Sequence, residues 1–197
     1  SFERSSIQKV SATLGENTLN LGLQAGLIGL IIVSMYLILY YRILGLVAIL
    51  GLTSFGLLFY SVISLLGEYQ GFTLTLSGIA GIIVSIGLAA DSYIVTFEKF
   101  KDEIKIGRSF QFAADKAATD AWKTIVTADF VSLSAAVLLY ILAIGPIRGF
   151  ALALGVATIF DLFFTRLYTR NTVPLVSTFS NSPRVYFPIK MKDLVND

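Results

Sequence analysis

Three carboxylates lie inside long apolar segments of this 197-residue chain, and they are its clearest candidates for chemistry. Asp91, Asp129 and Asp161 each interrupt a stretch that is otherwise almost free of charge. An Asp at the centre of a transmembrane helix costs about 3 kcal/mol, so such residues usually face a bundle interior, a wet cavity or a partner charge. The chain contains no His and no Cys, which leaves carboxylates as the groups that would exchange protons near neutral pH.

The three carboxylates are predicted to lie at similar depths below one membrane surface. At a rise of about 1.5 Å per residue, Asp91 lies about 9 Å, Asp129 about 8 Å and Asp161 about 12 Å from the predicted helix ends. Burial disfavours the charged form of a carboxyl group. A residue in this layer could therefore take up a proton from one side of the membrane and release it to the other.

Neighbouring residues in the sequence distinguish the roles of the three carboxylates. Asp91 follows small residues and precedes Ser92, and we favour a proton relay at Asp91 over a structural hydrogen bond. Asp129 lies near enough to the membrane surface for its carboxylate to reach water, which favours a structural role. Asp161 lies deeper, and Arg166 is poorly spaced to pair with it, so both roles stay open. The candidate supporting residues are Asp161, Asp129, Ser92 and Thr127.

The composition of the chain is that of a membrane protein. Apolar residues make up 55% of it, charged residues 14%, and the mean hydropathy is +0.78, whereas soluble domains average about 45–50% apolar and about 25% charged residues. We therefore predict an all-α polytopic membrane protein embedded in a lipid bilayer. The net charge of +2 gives no argument for a nucleic-acid partner. No P-loop motif is present, and we expect no enzyme activity, no metal and no cofactor.

The spacing of the charged residues predicts a bundle of five membrane-spanning helices. Between Glu16 and Arg42 lie 25 uncharged residues, and another 25 lie between Arg42 and Glu68, whereas a helix needs about 20 apolar residues to cross a bilayer. The other three spans contain one carboxylate each. The predicted spans are about 19–40, 44–66, 75–97, 124–144 and 149–169.

Three segments lie outside the predicted spans. Residues 1–18 are expected to end an extracytoplasmic domain, and residues 171–197 to form an extended cytoplasmic tail. The cytoplasmic loop 98–123 is predicted to hold a short amphipathic helix within 104–123, with a break at Gly107 and an N-cap at Ser109. Twelve of the fifteen Lys and Arg residues fall on the side of this loop and of the C-terminus, which predicts that both are cytoplasmic.

Several stretches of the chain form an ordered set of motifs. They are YYRILG (40–45), GFTLTL (71–76), GIAGII (78–83), ADS (90–92), FEKFKDE (97–103) and GPIRGF (145–150). Together they resemble the SecD family of protein-export membrane proteins, within the resistance-nodulation-division superfamily. The GFTLTL and ADS stretches are most similar to the actinobacterial branch of that family.

The resemblance implies both an architecture and a function. The five spans would be helices two to six of a six-helix half, with a large extracytoplasmic domain after the first helix. The partners would be a SecF-type subunit, the SecYEG channel and unfolded exported polypeptides. The protein would use the proton-motive force late in export across a bacterial plasma membrane. Asp91 matches the family's relay aspartate, although Ser92 and Tyr93 depart from its Asp-Ala-Asn motif. Asp129 is displaced by two residues from a second family acid, and Asp161 matches none.

Other functions remain open at this point. The helices could be a membrane anchor that binds a partner without transducing energy, in which case Asp91 would be an interface hydrogen bond. They could also belong to a lipid or drug exporter of the same superfamily, although the outer loops 67–76 and 145–148 are too short to hold a second extracytoplasmic domain. An aspartyl hydrolase is conceivable, but no further sequence feature supports it.

Overall fold

The structure is a computed structural model that describes residues 12–70, 76–179 and 183–187. Within these ranges the chain forms helices joined by short turns, with no strand, which confirms the predicted all-α class. A π-helical turn (Thr165–Thr169) connects the fourth helix to the fifth. The helices are α1 (Ala12–Gln70), α2 (Leu76–Lys105), α3 (Phe110–Leu142), α4 (Pro146–Phe164), α5 (Arg170–Ser177) and α6 (Pro183–Tyr186).

Helix α1 consists of two arms that meet at Arg42. This residue has non-helical backbone angles, with φ 47° and ψ −113°. A Cβ atom at Gly45 would overlap the backbone of Leu37, although residues eight apart in a straight helix are separated by about 12 Å. The second arm therefore folds back beside the first, and Leu30 and Tyr60 line one groove together with Ile83 of the helix that follows. The two arms cover the first two predicted spans.

Four helices in the described ranges are long and apolar enough to cross a membrane, whereas the sequence predicted five spans. The count differs because the first two predicted spans are the arms of the single element α1. The reversal at Arg42 occupies one residue, so hydrogen bonding is helical almost up to the break on both sides. The spanning segments are Asn20–Leu65, Ser77–Lys105, Phe110–Leu142 and Pro146–Ser177.

The predicted amphipathic helix and the predicted fourth span form one continuous helix, α3. Gly107 has φ 85° and makes the turn before it, and Ser109 occupies the predicted N-cap position without a side-chain capping hydrogen bond. No Gly or Pro stands between Phe110 and Leu142, so nothing in the sequence ends the helix at the membrane surface. The predicted amphipathic helix is the first part of α3.

The C-terminal segment is more ordered than the extended tail that the sequence predicted. Its described part contains α5 and α6, and α6 begins with Pro183 at a position that suits proline. Tyr186 and Phe187 are fully buried, with ring centroids 5.9 Å and 5.7 Å from that of Phe100. Burial of these two rings attaches the segment to α2. The rest of 171–197, and residues 1–11 of the expected extracytoplasmic segment, lie outside the described residues.

Polar contacts fix the turn of α1 to α2 at the end of the bundle where Arg42 lies, which we call the basic end. The Tyr41 hydroxyl donates to Glu98 Oε1 over 2.9 Å. Lys101 Nζ donates to the Tyr40 hydroxyl over 2.9 Å and lies 4.9 Å from the centre of its ring. These side chains hold the reversal of α1 against α2.

Helix α4 lies against α2 on one side and α3 on the other. A Cβ atom at Gly81 of α2 would lie 2.9 Å from the Cβ of Ala153 and 3.0 Å from the backbone oxygen of Phe150. A Cβ atom at Gly155 of α4 would lie 3.6 Å from the Cβ of Ala136. Small residues allow this close approach, which promotes helix association in lipid.

The close approach of the two α1 arms predicts a position-specific effect of added methyl groups. Gly45→Ala should destabilise the protein by about 1–3 kcal/mol, because its methyl group would overlap the Leu37 backbone. Gly56→Ala in the same arm adds its methyl group to open space and should be neutral or stabilising, because Ala favours a helix over Gly by about 1 kcal/mol. Thermal unfolding of both variants in detergent measures the difference. Equal losses would contradict the close approach at Gly45.

Candidate functional site

A hydrogen bond between α2 and α4 lies at the centre of the candidate site. The Ser92 hydroxyl donates to Asp161 Oδ2 over 2.5 Å, and the two residues are only 7% and 4% exposed. The hydroxyl also lies 3.4 Å from the Leu88 carbonyl. A serine has one hydroxyl hydrogen, so the shorter contact to the carboxylate dominates. The structure thus brings together two residues that the sequence singled out separately.

Asp129 of α3 lies on the other side of α4 at the same level. The close pair Ala136 and Gly155 fixes the antiparallel register of α3 and α4. Asp129 is seven residues from Ala136 toward the basic end, and Asp161 is six residues from Gly155 in the same direction. Asp129 is 6% exposed, and the two carboxyl groups interact electrostatically. The depth argument from the sequence therefore corresponds to a real proximity.

The buried Asp129 carboxyl group is incompletely hydrogen-bonded. Its Oδ2 accepts no hydrogen bond within the described part of the chain. Arg166, which the sequence left as a neighbour of Asp161, lies over the Trp122 ring at 5.5 Å from its centre. No Lys or Arg forms an ion pair with either buried carboxylate in the described ranges.

Asp91, the predicted relay residue, lies on an exposed face of α2. No residue in the described ranges forms a hydrogen bond or an ion pair with its carboxylate, which nevertheless acts electrostatically on Asp161. Ala80, Val84 and Gly87 are also exposed, and their spacing of three or four residues places them on the same helix face as Asp91. The helix therefore directs Ser92 inward to Asp161 and the adjacent Asp91 outward.

Buried hydroxyl groups continue the site toward the basic end, and apart from Ser92 the sequence reasoning missed them. They form a hydroxyl seam between α2, α4 and the π-helical turn. Thr96 donates to the Ser92 carbonyl over 2.9 Å, and Thr158 donates to the Leu154 carbonyl over 2.8 Å. Thr158, Thr165 and Thr169 lie at helical spacing from Asp161, which is the signal that could have revealed them. The hydroxyl seam consists of Ser92, Thr96, Thr158, Thr165 and Thr169.

Thr127, the remaining supporting candidate, lies away from these groups. It is exposed, and its hydroxyl donates to the Lys123 carbonyl one turn earlier over 2.9 Å. It lines a shallow surface groove with Thr124 and Val131. The structure thus brings Asp161, Asp129, Ser92 and Asp91 into one layer and leaves Thr127 outside it.

The arrangement is suited to moving protons. Carboxyl groups accept and donate protons, and hydroxyl groups can act as donor and acceptor at once. Within the described residues, no set of three or more Asp, Glu, His or Cys side chains is placed to hold a metal ion. A helical bundle with carboxylates at membrane depth defines the class of polytopic membrane proteins with an intramembrane acidic site.

The family follows from comparison with known proteins. Residues 1–177 match the family model described as protein export membrane protein SecD/SecF, C-terminal. The match covers most of the chain, which therefore belongs to this family, and the resemblance found in the sequence motifs is confirmed.

Individual relatives agree with this assignment. The chain is 49% identical over 177 residues to protein translocase subunit SecD of Mycobacterium tuberculosis, covering 90% of this chain and 31% of that protein. It is 42% identical over 176 residues to the same subunit of Streptomyces coelicolor, covering 89% and 31%. The chain thus spans about a third of the length of these relatives.

A solved structure shows the same arrangement of helices. The crystal structure of SecDF, a translocon-associated membrane protein from Thermus, superposes with a TM-score of 0.78 at 32% sequence identity. The match covers 91% of this chain and 24% of that one. The fold described here is therefore shared with that protein.

Because of its hydrogen bond to Asp161, the Ser92 hydroxyl should contribute more to stability than an exposed serine hydroxyl does. Ser92→Ala should destabilise the protein by about 1–3 kcal/mol, because it leaves a buried carboxylate without its donor. Ser134→Ala serves as the matched control, since Ser134 is exposed and donates only to the Phe130 carbonyl; it should change stability by less than about 0.5 kcal/mol. Thermal unfolding in detergent compares the two. A loss no larger for Ser92→Ala than for Ser134→Ala would contradict a stabilising bond.

Proposed function

We propose that the chain is the membrane part of a SecD-type subunit that uses the proton-motive force to assist a late stage of protein export. The observation that carries this proposal is the position of Asp91, an outward-facing carboxylate at membrane depth beside the buried Ser92–Asp161 bond. A carboxylate in this position is costly in lipid unless it is protonated or meets a partner. Its charge state therefore couples to whatever covers this face of α2.

The proposed mechanism is protonation and release at Asp91. When Asp91 is neutral, its face of α2 can lie in an apolar contact, and when it is charged, that face favours water or a cation. Because Ser92 joins the same helical turn to α4, movement of α2 is transmitted to the rest of the bundle. An extracytoplasmic domain attached to the helices would then pull on an unfolded exported polypeptide.

The proposed partner is a SecF-type subunit that packs on the exposed face of α2. Ala80, Val84, Gly87 and Asp91 share this face, and a Cβ atom at Gly87 would meet no other atom within 4 Å. Small residues on one face permit close approach of another helix. The Thermus relative is described as translocon-associated, which supports an association of this chain with a SecYEG channel.

The proposed location is the bacterial plasma membrane, with the basic end and the C-terminus in the cytoplasm. Arg42, Lys99, Lys101, Lys105 and Arg108 all lie at this end. An excess of Lys and Arg in short loops marks the cytoplasmic side of membrane proteins.

Loss of titration at Asp91 should abolish coupling to the proton-motive force. Asp91→Asn keeps the shape of the side chain but cannot alternate between charged and neutral forms, so export should fall to near the level seen without a proton-motive force. Asp91→Glu should retain partial activity, since it still titrates. Asp161→Asn and then Asp129→Asn should have smaller effects. Export assays at matched protein levels measure the order.

Normal export by Asp91→Asn would refute the relay. The helices would then act as a non-transducing anchor that binds the partner, which is the second candidate function. The full hydrogen bonding of Asp161 Oδ2 by Ser92 is compatible with such a static role.

The partner proposal predicts site-specific cross-linking. A benzophenone amino acid in place of Val84 should cross-link the SecF-type subunit, because Val84 lies on the same face as Asp91. The same amino acid in place of Val137 on α3 is the control, since the two valines are 44% and 49% exposed and differ in the face they occupy. Equal cross-linking to this subunit from both positions, or none from position 84, would count against the assigned interface.

A further inference from the structure

The pair of buried carboxyl groups on α3 and α4 has a charge arrangement that the proposed relay at Asp91 does not explain. Asp161 Oδ2 accepts a hydrogen bond from the Ser92 hydroxyl, which favours the ionised form of this carboxyl group. Asp129 Oδ2 is buried and accepts none within the described residues. A buried carboxylate oxygen without a donor is strongly unfavourable when it is charged. The surroundings therefore favour the ionised form of Asp161 and the protonated form of Asp129.

The surroundings of the pair provide no positive charge. From α2, the ionisable groups near Asp161 are Asp91 and Tyr93, and neither is a cation. From α1, Phe55 and Phe59 pack against α4 through Phe164 and Phe160.

The nearest basic residues are engaged elsewhere. Arg166 lies over the ring of Trp122. Lys123 is 75% exposed and pairs with Asp120 at 3.8 Å. Two carboxyl groups that interact in a buried site without a cation cannot both be ionised at low cost.

We propose that Asp129 and Asp161 form an internal acid pair that holds one proton. Asp129 is the protonated member, because its Oδ2 lacks a donor, and Asp161 is the ionised member, because Ser92 donates to it. The inference rests on the proposed function in one respect, namely that the held proton is part of the same proton path as Asp91. The pair is a second protonation site, distinct from Asp91, whose side chain is exposed.

Ser92 links the two protonation sites. It is adjacent to Asp91 in the sequence and bonded to Asp161 in space. A change of charge at Asp91 acts electrostatically on Asp161, so it alters how strongly the pair holds its proton. Protonation of Asp91 and protonation of the pair are therefore coupled through their charges.

Infrared spectroscopy of the full-length protein in lipid tests the pair directly, because a protonated carboxyl group has a carbonyl band that a carboxylate lacks. The test uses Asp91→Asn as the background, so that Asp91 cannot contribute. At neutral pH this variant should show a carboxylic acid band. Addition of Asp129→Asn should remove it, and addition of Asp129→Glu should shift its frequency.

Two results would overturn the acid pair. One is the absence of a carboxylic acid band in Asp91→Asn at neutral pH, which would mean that water or a cation satisfies Asp129 instead. The other is a band that neither Asp129→Asn nor Asp129→Glu changes. The Asp129→Glu variant keeps a titratable group and guards against a folding defect in Asp129→Asn. The infrared result requires no export, so it is distinguishable from failure of the relay at Asp91.

Discussion

The bond between Ser92 and Asp161 is the interaction on which the site depends, because it determines how α2 is rotated relative to α4. Apolar side chains alone do not determine which face of a helix meets its neighbour in lipid, since the hydrocarbon is as apolar as the side chains. A buried carboxylate does so, because it must meet a donor. With Ser92 turned toward Asp161, the neighbouring Asp91 is directed to another side of the helix.

This bond is possible only because α2 and α4 approach closely. A serine side chain is short, and it reaches the neighbouring helix when the backbones are near each other. Gly81 and Ala153 provide that approach two to three turns away, where any larger side chain would separate the helices. These small residues are thus part of the site, even though their side chains cannot exchange protons.

Much of this architecture follows from the sequence for a definite physical reason. The length of apolar segments and the cost of charge in lipid determine where helices cross and at what depth a carboxylate lies. Asp129 and Asp161 were therefore predicted in one layer before their proximity was known. The position of the reversal at Arg42 also follows from the charge between two apolar runs, but its tightness does not, because a single non-helical residue joins the two arms.

The rotation of each helix about its axis could not be predicted in this way. Both faces of a membrane helix are apolar, so the spacing of its apolar residues does not show which face is buried. For this reason the sequence did not indicate that Asp91 is exposed while Asp161 is buried. The sequence also did not indicate that Tyr186 and Phe187 are buried, because a short segment that contains several prolines has no periodic spacing of apolar residues.

The exposure of Asp91 has a consequence for the whole protein. This chain spans about a third of its relatives, and an intramembrane carboxylate facing away from its own bundle is stable only if it is neutral, hydrated or covered. A bundle that buried all three acids could store protons but could not present one to another subunit. In the proposed mechanism Asp91 meets the second subunit, while Asp129 and Asp161 stay inside the bundle.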